Sequence, residues 1–291
     1  MNLMTIHSRF PDQEACIEHL ERVRWGDEPW CPLCGCLNVK PKADGDRVGR
    51  WNCHDCKSSF NVLSGTIFEK TRIELPYWFM AIGLIVNAKK SLSSCQLARD
   101  LDITQQSAHY MQIRIRAAMA TEQLPMLQGI IEADETYIGG RPRKGNKRKD
   151  DKPRPRGRGT DKTPVIGVVE RGGKVVAQVA NKVNGKRILK FVKSAVDPTG
   201  SLLITDEFKA YRAVRPLMSH AVIKHRKQYV DGLTHTNTIE GFWSLLKRAW
   251  YGSHHHYGDR FMPLYVAEAC WKYNHRKSDN AFGDFIGECF A

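Results

Sequence analysis

The sequence predicts an α/β layered domain from about residue 128 onward, preceded by a metal-binding cysteine module and a helical region. Short apolar runs bounded by turn residues are typical of buried strands, and they lie at 130–134, 164–169, 174–180 and 202–205. Segments with apolar residues at helical spacing lie among and after these strands, at 184–196, 237–250 and 263–275. Strands mixed with helices in this way favour an α/β fold. Two Cys-x-x-Cys pairs precede the first of these strands.

The composition is that of a globular protein with an unusual charge. The chain has 291 residues, and its 45 Lys and Arg against 31 Asp and Glu give a formal net charge of +14. Such an excess is typical of proteins that bind nucleic acid or an anionic membrane surface. The richest apolar run, 78–86, is shorter than the ~20 residues that span a bilayer. The first residues also lack the apolar core of a signal peptide. We therefore expect a cytoplasmic protein with no membrane partner.

Much of the positive charge is concentrated in residues 139–163. Eleven Lys or Arg and three Asp lie there, a net charge of +8. The Pro, Gly and charged residues exclude a packed core, so we expect a basic surface loop. This loop would either follow the phosphate backbone of DNA, with an affinity that depends on salt, or form an ordinary solvated charge run.

The cysteines predict a metal site in the N-terminal part. Cys31 and Cys34 form one Cys-x-x-Cys pair, Cys53 and Cys56 form the second, and 18 residues separate the pairs. Two such turns place four thiolates around one ion, so we expect a structural zinc ribbon, although iron also binds four thiolates. Redox-active pairs or unrelated buried thiols are the alternatives.

Residues 93–108 have the pattern of a helix-turn-helix. The first helix would end near Asp102, and Thr104 would cap the second helix. The polar residues Gln105, Gln106 and Ser107 would then begin that helix, where side chains reach base edges in the major groove. An ordinary helical hairpin is the alternative, because the turn has no glycine.

Acidic residues at the ends of predicted strands indicate a second metal site. Asp134 closes one buried strand and Asp206 closes another. Two such carboxylates can converge on divalent ions, as phosphoryl transfer requires. Glu240 would supply a third ligand from a helix, and Lys247, seven residues later, would lie on the same face and hold a phosphate. The spacing fits a ribonuclease-H-like sheet. The alternatives are solvated turn residues at the strand ends, and a helix-capping pair of Asn237 with Glu240.

Four further motifs, together with the cysteine ribbon, carry a family resemblance that covers about residues 20–277. They are SGTIF at 64–68, DETYIGG at 134–140, TDEFKAY at 205–211 and HTNTIEGFWSLLKR at 235–248. In this order they resemble the insertion-sequence transposases that combine a zinc ribbon with a DDE catalytic domain.

The resemblance implies a ribonuclease-H-like mixed sheet with helices and cleavage and strand transfer of DNA by two Mg²⁺ or Mn²⁺ ions. The partners would be double-stranded terminal inverted repeats and target DNA, bound by a homo-oligomer in the nucleoid of a prokaryote. The implied catalytic residues are Asp134, Asp206 and Lys247, with either Glu240 or Asn237 in the third acidic position. A DNA-binding regulator with an inactive nuclease-like domain is the rival interpretation, and the intact acids argue against it.

We expect three regions along the chain. Residues 1–68 would hold the N-terminal helix and the zinc ribbon, and residues 69–125 the helix-turn-helix-like DNA-binding region. Residues 126–291 would form the catalytic domain, with the basic loop 139–163 inserted in it.

Overall fold

The computed structural model describes residues 1–42, 49–140, 162–223 and 235–290. The chain forms two compact units, one of Met1–Glu122 with Lys277–Ala291 and one of Gln123–Arg276. Within the described ranges, no helix is both long enough and apolar enough to cross a membrane. Most of the predicted basic loop, residues 141–161, lies outside the described residues.

The first unit begins with two short helices and a small sheet. The helices are α1 (Leu3–Arg9) and α2 (Gln13–Trp25), and the strands are β1 (Val39–Pro41), β2 (Arg50–Cys53) and β3 (Ser59–Asn61). The α2 helix starts where it does because the Asp12 carboxylate accepts a hydrogen bond from the Ala15 amide, 2.9 Å away. The three strands pair antiparallel in the order β1-β2-β3 and form the body of the ribbon.

Three further helices follow the ribbon, α3 (Leu75–Asn87), α4 (Ser94–Leu101) and α5 (Gln105–Met119). The α3 helix is apolar on nearly all sides and forms the centre of this unit. Helices α4 and α5 confirm the helical pair expected from the sequence, and Thr104 caps α5 by accepting from the Ser107 amide at 3.2 Å. The turn needs no glycine because Asp102 itself adopts a left-handed conformation, with φ of 51°, which short polar residues tolerate.

Two of the three polar side chains predicted to reach base edges from the start of α5 make local hydrogen bonds. The Gln105 amide donates a hydrogen bond to the Ser94 hydroxyl at 2.7 Å, and so ties α5 to α4. The Ser107 hydroxyl accepts from Thr104 at 3.0 Å. Gln106 is exposed, and DNA contact by this segment stays a prediction.

The second unit is built on a five-stranded mixed sheet. Its strands are β4 (Ile130–Ile138), β5 (Thr163–Glu170), β6 (Val175–Val179), β7 (Leu202–Thr205) and β8 (Ser219–Val222). Their order is β6-β5-β4-β7-β8. The first three pair antiparallel, whereas β4, β7 and β8 run parallel. This order and these directions are those of a ribonuclease-H-like sheet, so the predicted fold class is confirmed.

Helices cover both faces of this sheet. They are α6 (Gly185–Ala195), α7 (Asn237–Ala249) and α8 (Met262–Asn274), with a wide helical turn at Trp250–His254 and a 3-10 turn at Lys209–Val214. Ile131 and Ala133 of β4 belong to the core that contains Phe191 of α6. Val169 of β5 belongs to the opposite core, with Phe242 of α7. The two faces of the sheet are therefore both buried, as the alternation of strand side chains requires when helices lie on each side.

One expectation from the sequence is corrected by these elements. Asp134 does not close its strand, because β4 continues to Ile138 and pairs with β5 along that whole length. The two adjacent acids at 134 and 135 resemble the polar residues that follow a strand. The strand nevertheless continues, and the next residue, Thr136, is buried within it. The chain also returns to the first unit after Arg276 through α9 (Ala281–Glu288). Phe282 of α9 packs edge-on against Phe79 there, with ring centres 5.5 Å apart.

Candidate active site and metal centre

The two Cys-x-x-Cys pairs meet at one end of the ribbon. The sulfur atoms of the four predicted ligands lie within 4.8 Å of one another. Across the pairs, Cys31 is 3.8 Å from Cys56 and Cys34 is 3.6 Å from Cys53. The Gly35 amide donates to the Cys31 carbonyl at 2.8 Å, and the φ of 76° at Gly35 makes this tight turn possible. Four converging thiolates fit a tetrahedral zinc ion.

A further thiol lies beside this group. The sulfur of Cys36 is 3.1 Å from that of Cys53, and the Cys36 carbonyl accepts from the Cys31 amide at 2.9 Å. The sequence interpretation leaves Cys36 outside the ligand set. The structure keeps it in contact with the set without making it one of the four clustered ligands.

The sheet of the second unit brings the predicted aspartates together. Ala133 pairs with Thr205 in the parallel β4–β7 ladder, so the next residues, Asp134 and Asp206, lie side by side. Both line a cleft of about 520 Å³. The other described residues that line this cleft are Glu135, Thr136, Thr236, Glu240, Trp243, Ser244, Lys247, Arg248 and Tyr251. Three predicted acids and the predicted lysine therefore face one space, with two of the acids at the sheet and the third acid on α7 together with the cations.

The environment of Asp134 disfavours its charged form. Burial, together with the charges of Glu135 and Asp206 and against a lowering by hydrogen bonds, raises the pKa of Asp134 to about 7. One of these hydrogen bonds comes from the Trp243 indole, whose Nε1 donates to Asp134 at 3.1 Å. A divalent cation would compensate the negative charges gathered here, and carboxylate oxygens are the ligands that Mg²⁺ prefers.

The neighbouring acids are held by different partners. Asp206 accepts a hydrogen bond from the Phe208 amide at 2.9 Å, which fixes the turn after β7. Glu135 accepts from the hydroxyl of buried Tyr211 at 3.1 Å. Burial and the surrounding acids raise the pKa of Tyr211 well above its ordinary value, so this hydroxyl stays a donor.

The two candidates for the third acidic position, Glu240 and Asn237, lie in different surroundings. Glu240 lines the cleft and accepts a hydrogen bond from the Thr236 hydroxyl at 3.0 Å. Asn237 is exposed and is the first residue of α7. The expectation that Asn237 caps this helix is wrong, because the N-cap residue is Thr236 and its side chain makes no capping bond. The Glu132 carboxylate instead accepts from the amides of Thr238 and Ile239.

Comparison with known proteins agrees with the sequence resemblance. Residues 126–274 match the family described as ISXO2-like transposase domain, and residues 11–59 match the transposase zinc-ribbon domain. The chain belongs to this transposase family. The transposase is also 27% identical over 257 residues to an uncharacterised protein in the transposable element ISH50 of Halobacterium salinarum, covering 84% of this chain and 85% of that relative.

Solved structures show lower similarity. A simian T-cell lymphotropic virus intasome with a PP2A regulatory subunit is 16% identical, covering 67% of this transposase and 66% of that chain, with a TM-score of 0.33. The Mos1 strand transfer complex is 15% identical, covering 72% and 73%, with a TM-score of 0.31.

Sequence reasoning misses several residues around the cleft. Trp243 is a buried core residue, and its indole also donates to Asp134. Tyr211 lies in the motif at 205–211, which assigns it no role. Glu132 precedes Asp134 by two residues on one strand, and this spacing places both on the same face. That alternation is the available signal for Glu132.

Proposed function

We propose that this transposase cleaves the phosphodiester bond at the ends of its element and transfers the freed 3′ ends to target DNA. The observation that carries the proposal is the convergence of Asp134, Asp206 and Glu240 on one cleft that Lys247 also lines. A nuclease needs anionic ligands for divalent ions beside a cationic group for phosphate. Both are present within one set of lining residues.

The acidic residues would hold two Mg²⁺ or Mn²⁺ ions. Asp134 and Asp206 project from adjacent parallel strands, and Glu240 faces them from α7. When bound, the ions would stabilise charge on the attacking and leaving oxygens. The raised pKa of Asp134 supports this assignment, because a cation would offset both the burial and the repulsion that raise it.

The cationic residues of α7 would position the DNA strand. Lys247 and Arg248 are exposed and line the cleft. Their side chains would bind the phosphates on either side of the bond to be broken. Holding the reacting groups in place supplies a large share of catalysis when the chemistry itself needs few groups.

The first unit would select the DNA. The ribbon, with a structural zinc held by Cys31, Cys34, Cys53 and Cys56, and the α4–α5 pair would bind the double-stranded terminal repeats. A homo-oligomer would bring two ends together, acting on DNA of the nucleoid. The basic segment 139–163 would add contacts to phosphates. In this proposal residues 1–68 supply the ribbon and residues 69–125 supply the α4–α5 pair. Residues 126–291 supply the catalytic domain with the basic segment.

The test is metal-dependent cleavage of DNA that carries the element's own ends. Asp134→Asn and Asp206→Asn are expected to lose cleavage and to keep their affinity for the ends. The matched control is Glu207→Gln, which removes an exposed acid next to Asp206 that is not among the described lining residues. Full cleavage by either aspartate variant would reject the proposed site. Binding without cleavage by the wild-type protein would instead favour a regulator.

The third ligand is tested in the same assay. Glu240→Gln keeps the shape of the side chain but removes its charge, so cleavage is expected to fall to background. Asn237→Ser changes an exposed residue and is expected to retain cleavage. An inactive Asn237→Ser beside an active Glu240→Gln would assign the role to Asn237.

A further inference from the structure

The catalytic unit contains a buried carboxylate outside the proposed ligand set. Glu132 lies on β4, two residues before Asp134, and its residue exposure is 0%. The two side chains share a face of the sheet because strand residues alternate. A carboxylate is almost never fully buried unless it is paired, so the partners of Glu132 indicate what it does.

Among the described residues, the partners of this carboxylate come from two places in the chain. Its Oε1 accepts from Arg171 Nε at 2.7 Å and from the Thr238 hydroxyl at 2.9 Å. Its Oε2 accepts from the backbone amides of Thr238 at 2.8 Å and Ile239 at 3.1 Å. His235 Nδ1 lies 3.3 Å from Oε1. Apart from Arg171, these groups belong to the start of α7 or to the residues just before it.

Glu132 takes the place of a local helix cap. The first amides of a helix need acceptors, which a side chain at the N-cap position ordinarily supplies. Thr236 occupies that position without capping, and its hydroxyl donates to Glu240 instead. The acceptor for the amides of Thr238 and Ile239 comes from a strand more than 100 residues earlier. A carboxylate at this end of a helix is also favoured by the helix dipole.

Arg171 completes the attachment. It lies in the turn after β5, and its Nη2 donates to the His235 carbonyl at 2.8 Å while its Nε binds Glu132. The guanidinium therefore balances the buried charge and at the same time holds the segment that enters α7. A buried carboxylate without this partner would be strongly disfavoured.

These contacts join the elements that carry the proposed ligands. The attached amides at 238 and 239 directly precede Glu240, and the attaching residue is two positions from Asp134. We infer that Glu132 is a positioning residue, which with Arg171 locks the first turn of α7 to β4 and thereby holds Glu240 at the cleft shared with Asp134. The inference rests on the proposed metal site. It assigns Glu132 no contact with metal or DNA.

The inference is tested by metal binding and by the metal dependence of cleavage. Mn²⁺ binding to the full chain, with zinc in the ribbon, is followed through the paramagnetic resonance signal of free Mn²⁺, without DNA. Glu132→Gln places an amide where the helix needs only acceptors, so we expect Mn²⁺ affinity to fall about 10- to 100-fold, the usual effect of changing a residue that orients a ligand. The Mg²⁺ concentration for half-maximal cleavage is expected to rise by a similar factor. Affinity for DNA in the absence of Mg²⁺ and Mn²⁺ is expected to stay the same.

The control is Glu268→Gln. Glu268 is also buried and pairs with Lys272 in the same unit, but on α8. We expect it to lower the melting temperature as Glu132→Gln does and to leave Mn²⁺ affinity unchanged. Equal Mn²⁺ affinity in Glu132→Gln and wild type would overturn the inference, and so would an equal decrease in both Glu variants.

Two milder variants keep the test decisive if Glu132→Gln does not fold. Thr238→Val removes only the hydroxyl that donates to Glu132, and Glu132→Asp keeps the charge on a shorter side chain. Each is expected to weaken Mn²⁺ binding less than Glu132→Gln would, and no weakening in either would overturn the inference. Asp134→Asn distinguishes a failure of this inference from a failure of the proposed metal site. If that variant still binds Mn²⁺ and cleaves DNA, the proposed metal site itself is rejected.

Discussion

At the scale of single residues, the cleft gathers carboxylates that repel one another. Asp134 lies within a strand, Glu135 follows it in the chain, and Asp206 directly follows the neighbouring strand. Burial, followed by these two charges, raises the pKa of Asp134 to about 7. Folding therefore has to bring this acid into an environment that opposes its ionisation. A bound cation would reverse that effect.

Asp134→Asn is expected to stabilise the protein at about pH 8 when no Mg²⁺ is present. The pKa in the folded state lies above the ordinary value of 3.8, so the unfolded state loses its proton first and stability falls as the pH rises between these values. Below about pH 4 this cost is absent, and above about pH 7 it is fully present. We expect a melting temperature about 2–4 °C above wild type, the shift that ~1 kcal/mol produces in a folded unit of about 150–250 residues.

The measurement is thermal unfolding without Mg²⁺ at several pH values. The gain is expected to shrink as the pH is lowered toward about 4, and added Mg²⁺ should stabilise the wild type more than the variant. Glu207→Gln, at an exposed acid, is the control and should show neither trend. A variant that is less stable than wild type at about pH 8 would contradict the predicted cost of ionising the buried Asp134 side chain.

At the scale of elements, local patterns predict most of the sheet and helices. The β7 strand, Leu202–Thr205, has the ends that the sequence predicts, because an apolar run of this length between turn residues has few alternatives. Apolar residues at helical spacing in α4 and α5 are buried, including Leu97, Met111 and Ile115. The convergence of acids on one cleft also follows from strand order, because parallel neighbours place equivalent residues side by side.

The features that the sequence interpretation misses depend on distant partners. The strand β4 continues past its two acids because β5 pairs with it as far as Ile138. The cap of α7 comes from Glu132, which is 106 residues from Thr238, so no local capping pattern could reveal it. The sequence around Asn237 fits the local pattern of a helix cap. In the structure, the carboxylate of Glu132 accepts the hydrogen bonds from the first amides of α7 instead.

The ribbon is the element whose stability should depend most on metal, because its strands have only three or four residues each. Cys53→Ser is expected to release the one zinc ion per chain and to unfold the ribbon, while the sheet of the second unit stays folded. Elemental analysis gives the metal content, and limited proteolysis locates the unfolded region. DNA binding should weaken in parallel.

The neighbouring Cys36 offers a matched control for this change. Cys36→Ser removes a thiol that contacts Cys53 at 3.1 Å, yet it should retain one zinc ion. Full zinc content in Cys53→Ser would mean that Cys36 replaces Cys53 as a ligand. Absence of zinc and iron from the wild-type protein would reject the metal site altogether.

At the scale of the whole molecule, the match to the transposase domain and the basic segment 139–163 both fall in the sequence range of the second unit. The region that matches the transposase domain, 126–274, nearly coincides with the unit Gln123–Arg276. The net charge of +14 on the whole chain includes +8 from residues 139–163, which lie within that same region of the sequence. The positive charge that would bind phosphates is therefore concentrated in the part of the chain that also carries the acidic cleft.

Neutralising part of the basic segment is expected to weaken binding to all DNA sequences alike. Replacing Lys152, Arg154, Arg156 and Arg158 with Gln removes four positive charges. Each of these side chains that binds a phosphate in the wild type should contribute about 0.9 to the slope of log affinity against log salt. If all four bind phosphates, the slope of the variant should be smaller by about 3.6. Binding is measured on the element's ends and on unrelated duplex at several salt concentrations.

The control removes the same number of charges from another surface. Lys182, Lys186, Lys190 and Lys193 are exposed on and just before α6, whose apolar residues pack on the sheet face opposite α7. Their replacement by Gln changes the net charge equally, so any effect of overall charge appears in both variants. A larger fall in slope for the basic segment would show direct phosphate binding by that segment. Equal slopes in the two variants would mean that residues 139–163 act only through the total charge of the molecule, as a solvated loop would.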